Sequence, residues 1–168
     1  MEGSSLPGFL GADHLGLTVP DLDEAVRFYT QVIGGAELYR LGPFDAAELP
    51  TMPDGRDWTE AHVNVAGARL RFAVVAIGDF MLELFEYEKP ADARTTPPRN
   101  QDVGGHHLSL RVADIEEATR FLRDRGVRLM ERIEIDEGPA AGLRGNYFLD
   151  PFDNQLELVE YDRLGYMR

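Results

Sequence analysis

The chain repeats itself, and the repeat leaves few folds open. The segment Asp13 to Phe28 aligns without a gap on His106 to Phe121, 93 residues further on. His14 falls on His107, and Leu15, Leu17 and Val19 fall on Leu108, Leu110 and Val112. Asp21, Glu24, Ala25, Arg27 and Phe28 fall on Asp114, Glu117, Ala118, Arg120 and Phe121. Nine identities in sixteen positions are too many for chance. A second match has another spacing: Leu82-Glu83-Leu84-Phe85-Glu86-Tyr87 returns 74 residues on as Leu156-Glu157-Leu158-Val159-Glu160-Tyr161. The offsets differ by 19, so the first copy carries about that many extra residues between its two motifs.

Each copy reads the same way. A short alternating segment (12–19, 105–112) has the pattern of a half-buried strand. An Asp-x-x-Glu capping box follows at Asp21/Glu24 and at Asp114/Glu117 and opens a helix. Leu22, Ala25, Val26, Tyr29 and Val32 give the first helix one apolar face; Ile115, Ala118, Thr119 and Leu122 do so in the second. Gly34-Gly35 and Gly126 close the helices. Three strands follow in each copy, near 36–41, 68–77 and 80–87, then near 127–133, 143–150 and 154–161. The expected fold class is α+β: two tandem βαβββ modules, their mixed sheets forming cups around a metal site. The first module spans 10–88, with an insertion at 42–67. A Pro- and Gly-containing linker covers 89–104, and the second module spans 105–162. The insertion is too long for an ordinary loop and is expected to be a lid, a binding loop or the host of a short helix.

Composition narrows the functional classes. The chain has 168 residues, 43% hydrophobic and 28% charged, which is ordinary for a folded domain. Its net charge of −13 repels nucleic-acid backbones and anionic membrane faces, so neither is an expected partner. With no cysteine, disulfides, thiolate metal sites and cysteine nucleophiles are excluded. No secretory leader pattern opens the sequence, and no apolar run approaches the roughly 18 residues of a membrane span. The expected location is the cytoplasm.

Strand alternation then places side chains. Leu15, Leu17 and Val19 share the face that packs on the helix, so His14 points the other way; His107 does the same in the second copy. Leu82 and Leu84, or Leu156 and Leu158, also take the helix face, which directs Glu83 and Glu157 to the face of the histidines. Carboxylates buried in an apolar hollow are costly unless compensated, and a divalent cation is the obvious partner. Imidazole with carboxylate suits one ion of Zn, Ni, Co, Mn or Fe. The alternative places the glutamates on exposed sheet faces and gives the histidines structural roles. Recurrence of all four at duplicated positions favours the metal.

These motifs resemble the vicinal oxygen chelate superfamily, which includes glyoxalase I, methylmalonyl-CoA epimerase, extradiol dioxygenases and antibiotic-resistance proteins. The carrying stretches are Asp13-His14-Leu15-Gly16-Leu17-Thr18-Val19 with Asp21-Leu22 and Phe28-Tyr29, then Leu82-Glu83-Leu84. They continue in Gly105-His106-His107-Leu108-Ser109-Leu110 and in Asp150-Pro151-Phe152-Asp153-Asn154-Gln155-Leu156-Glu157-Leu158. By that resemblance His14, Glu83, His107 and Glu157 match the four metal ligands of glyoxalase I, and a homodimer is implied. His106 is assigned to the helix face, and His62, in the insertion, to the surface.

A fourth protein ligand, Glu83, leaves two positions open on an octahedral ion. This favours isomerase-type chemistry over oxygen activation. The leading expectation is a metal-dependent isomerase or epimerase, with glyoxalase-type lyase chemistry related to it. Its substrate is a small hydroxyketone, a cyclitol ketone or an acyl-CoA, and Glu83 and Glu157 move the proton beside a polarised carbonyl. A non-haem iron dioxygenase and a drug-sequestering protein of the same fold are the alternatives. Arg71, Arg144, Tyr147, Phe85 and Trp58 are the expected substrate contacts. Arg71 is assigned with Arg69 to one strand face, where it could hold a carboxylate or phosphate.

Overall fold

Both expected N-caps form. In the computed structural model the Asp21 carboxylate accepts from the Glu24 amide at 2.8 Å and Asp114 accepts from the Glu117 amide at 2.9 Å. They start helix α1 (Leu22–Arg27) and helix α3 (Ile115–Asp124); helix α2 (Trp58–Val63) lies in the insertion. Asp114→Ala should cost about 1 kcal/mol by removing an acceptor from a helix start. A thermal melt should register this as a drop of about 2–4 °C. Helix α1 widens into a π turn over Phe28–Val32, where the Ile33 amide reaches the Phe28 carbonyl at 3.1 Å. Gly35 then lets the chain pass close to β3 (Arg69–Ile77), since a Cβ there would lie 2.8 Å from Val75 Cγ1 and 2.9 Å from two backbone oxygens.

The structure describes residues 6–161; residue 162, the last assigned to the second module, lies outside them. The chain divides into two units, Met1–Ala91 and Asp92–Arg168. In the first unit β1 (His14–Thr18), β2 (Ala36–Asp45), β3 and β4 (Phe80–Lys89) form a sheet in the order β1-β4-β3-β2. In the second, β5 (Leu108–Arg111), β6 (Leu129–Ile135), β7 (Leu143–Leu149) and β8 (Gln155–Glu160) form a sheet in the order β5-β8-β7-β6. The outer pairs β1–β4 and β5–β8 are parallel and all others antiparallel. The fold is therefore α+β, with the βαβββ order repeated and a short helix inserted in the first copy.

One face of each sheet is sealed by its helix. Leu17, Leu22, Ala25, Val26, Tyr29, Ala73, Val75, Leu82 and Leu84 are buried in the first unit, and Ile115, Leu122, Phe148, Leu156 and Leu158 in the second. Each fully buried Leu or Ile contributes roughly 1.5–3 kcal/mol relative to an exposed one. Strand β2 runs past its expected end at residue 41 because a register shift between Leu41 and Phe44 absorbs Gly42 and Pro43. Among the described residues no helix is long and apolar enough to cross a membrane.

Candidate metal and proton-transfer site

The sheet face away from the helix carries the histidine and glutamate of each unit. Register pairs Gly16 with Glu83 and His14 with Met81, so His14 and Glu83 share a face on adjacent strands. His14 Nε2 lies 3.3 Å from Glu83 Oε2. In the second unit Ser109 pairs with Glu157, and His107, one residue before β5, lies with Nε2 3.5 Å from Glu157 Oε2. The expected quartet thus takes the form of two matching pairs. Among the described residues no group of three or more His, Asp or Glu is gathered to hold a metal.

The pairs, at 3.3 and 3.5 Å, stand a few tenths of an ångström wider than a shared cation would hold two ligands. Two ligands at about 2.0–2.2 Å from an ion and at a right angle lie about 3 Å apart. The imidazole and carboxylate donors also fit the ion class expected from the sequence.

The two histidines differ in what stands behind them. Asp13 Oδ2 lies 2.8 Å from His14 Nδ1, which leaves Nε2 turned toward Glu83. The Asp13 hydrogen bond, then the Glu83 charge, raise the His14 pKa above the ordinary imidazole value. Replacing Asp13 by alanine should lower that pKa, read by NMR titration of the imidazole. A raised value in the folded state adds stability that is present at pH below the unfolded value and is lost as pH rises through the folded one. In the second copy the position of Asp13 is taken by His106, which is exposed with Nδ1 3.1 Å from the Gly104 carbonyl. His107 instead meets the edge of the Tyr147 ring at 5.0 Å. Burial, and then the charge of Glu157, push the Tyr147 phenol up.

The other expected contacts separate by face. Phe85 lies on the Glu83 side, paired with Phe72 and stacked on it at 5.0 Å. Phe44 stacks on Phe72 at 6.5 Å and on Trp58 at 6.2 Å, so Trp58 ends a row of aromatic rings. Exposed His62 stacks on Trp58 at 4.3 Å.

Arg71 and Arg144, expected as substrate contacts, lie on the opposite sheet face from Glu83 and Glu157. Arg71 pairs in register with Glu86, one residue out of phase with the Glu83 face. Its guanidinium meets Glu86 at 3.0 Å and Asp23 at 3.3 Å. Arg144 pairs with Glu160 and meets it at 3.1 Å, and it also contacts Glu116 at 2.5 Å. Glu86 in turn accepts from the Leu22 amide at 2.6 Å, and Glu160 accepts from the Ile115 amide at 2.6 Å. Both arginines therefore belong to a duplicated clamp that ties the last strand to the helix start. The equivalence of Glu86 with Glu160 in the repeat is the signal that could have revealed it.

Comparison with known proteins agrees with this architecture. The chain matches the Glyoxalase/Bleomycin resistance protein/Dioxygenase superfamily over residues 11–158. It is 44% identical over 163 residues to a 2-epi-5-epi-valiolone epimerase from Actinomyces sp, covering 95% of this chain and 84% of that protein. A glyoxalase family protein from Bacillus cereus superposes with a TM-score of 0.70 at 18% identity, over 93% of this chain and 98% of that one. A fosfomycin resistance protein from Listeria monocytogenes, solved with Mn(II) and sulfate, superposes with a TM-score of 0.54 at 18% identity, over 90% and 93%. With its repeated βαβββ order and this match across most of its length, the chain belongs to the glyoxalase, bleomycin resistance and dioxygenase superfamily.

Proposed function

We propose that this protein is an epimerase that inverts a carbon beside the carbonyl of an uncharged, polyhydroxylated ring ketone of the valiolone kind. The observation that carries the reading is the 44% identity, over 95% of the chain, to a protein named as such an epimerase. The engagement of Arg71 and Arg144 with Glu86 and Glu160 supports an uncharged substrate, because neither guanidinium is left for a phosphate or carboxylate. That weighs against an acyl-CoA.

In this reading His14 and Glu83, with His107 and Glu157, would hold one divalent cation. When bound it supplies a Lewis acid that polarises the carbonyl. One of the two glutamates takes the proton from the carbon next to the carbonyl. The C–H bond breaks, a carboxyl O–H bond forms, and the electron pair moves to the carbonyl oxygen. The other glutamate returns a proton to the opposite face of the same carbon. Asp13 holds His14 with Nε2 turned toward Glu83, and the aromatic row from Phe85 to Trp58 walls the first unit's glutamate with apolar surface.

The test is incubation of the metal-loaded protein with the ring ketone in D2O, followed by NMR. The expected result is the epimer with deuterium at the inverted carbon. Absence of both overturns the reading, as does oxygen uptake with ring cleavage.

A further inference from the structure

Gly145 lies in the middle of β7 at a place where the backbone does not demand glycine, since its φ is outside the left-handed region. A glycine inside a strand weakens it and marks a place where something approaches the backbone closely. What approaches here is Glu157. A Cβ on residue 145 would lie 3.3 Å from Glu157 Oε1, and 3.6 Å from both Leu143 Cδ2 and the Leu158 carbonyl oxygen. The other carboxylate oxygen, Oε2, lies 3.5 Å from His107 Nε2. Glu157 therefore spans His107 and a stretch of bare backbone.

The first unit carries a phenylalanine at the equivalent position. Register places Phe72 opposite Phe85, as it places Gly145 opposite Val159. The rings of Phe72 and Phe85 stack at 5.0 Å beside the strand positions of Glu83. The duplication thus keeps two glutamates but sets a pair of phenylalanine rings beside the strand of one and a glycine against the carboxylate of the other.

We propose that Gly145 is a positioning residue: it leaves the space in which the Glu157 carboxylate pivots between His107 and the substrate proton. This rests on the epimerase reading above.

The test compares wild type with Gly145→Ala and Gly145→Ser in the metal-loaded protein acting on the ring ketone. A methyl group crowds Oε1, and a serine hydroxyl can in addition donate to it and hold it. Both variants should lose about 10–100-fold in kcat with KM within about twofold of wild type. The rate ratio for substrate carrying hydrogen or deuterium at the reacting carbon should rise. Bound metal per chain should stay the same and the melting temperature should not fall, because alanine suits a strand better than glycine. Retention of kcat in both variants overturns the proposal. So does a loss of kcat that tracks a lowered melting temperature or a loss of metal. A wild-type protein that neither epimerises nor exchanges the proton overturns the epimerase reading and this proposal with it; an active wild type with unaffected variants overturns this proposal alone.

Discussion

A Glu157→Gln variant is expected to epimerise the ring ketone about 10²–10⁴-fold more slowly than wild type, the range spanned by a positioned proton-transfer group. Glutamine keeps the length of the side chain and a neutral oxygen for the cation, so with the assay run at saturating metal the change removes the ability to accept a proton. Glu157 is partly buried, and among the described residues its ion-pair partner is His107. The melting temperature should accordingly stay near that of wild type, and the loss should appear as a slower NMR-detected approach to equilibrium between epimers. A rate within a few-fold of wild type would contradict a role for this carboxylate in moving the proton.

The second large effect is on stability, and it falls on a residue with no part in the chemistry. Glu86→Ala is expected to destabilise the protein by about 2–4 kcal/mol in urea unfolding, because one deletion removes two charge-assisted contacts. The Leu22 amide loses the acceptor 2.6 Å away at the start of α1, and Arg71 loses the carboxylate at 3.0 Å. The Nε of Arg71 is already buried without a hydrogen bond, so the guanidinium has little left to compensate it. The remaining partner, Asp23, is about half exposed and sits at 3.3 Å. A loss below about 1 kcal/mol would mean that water replaces Glu86 at both contacts.

The parts of the molecule with strong local periodicity were legible from residues alone. The N-caps at Asp21 and Asp114 form, and the two-residue alternation puts His14, Glu83 and Glu157 on the face away from the helices, because Leu17, Leu82 and Leu156 are buried on the other. The face of Arg71 was harder to read. The run Arg69-Leu70-Arg71-Phe72-Ala73-Val74 alternates with its arginines on one side and Leu70, Phe72 and Val74 on the other, so alternation alone would turn Arg71 away from the helix, whereas it shares the helix face with Ala73. The carboxylate of Glu86 settles it through a backbone amide 64 residues away, and no side-chain pattern advertises that partner. Strand β2 was cut short for a different reason. Gly42 and Pro43 have the composition of a turn, but a bulge carries the strand through them to Asp45. Gly145 also escaped notice, since a glycine inside a strand becomes informative only when the side chain above it is known.

The account turns on the two His–Glu pairs acting as one metal site. The most direct measurement is the binding stoichiometry of Mn(II) or Ni(II) for the metal-stripped protein, repeated with His14, Glu83, His107 and Glu157 replaced one at a time by alanine. One ion per chain, weakened by every one of the four replacements, is the expected result. Two independent ions per chain, or one ion whose affinity ignores the residues of either pair, would contradict it.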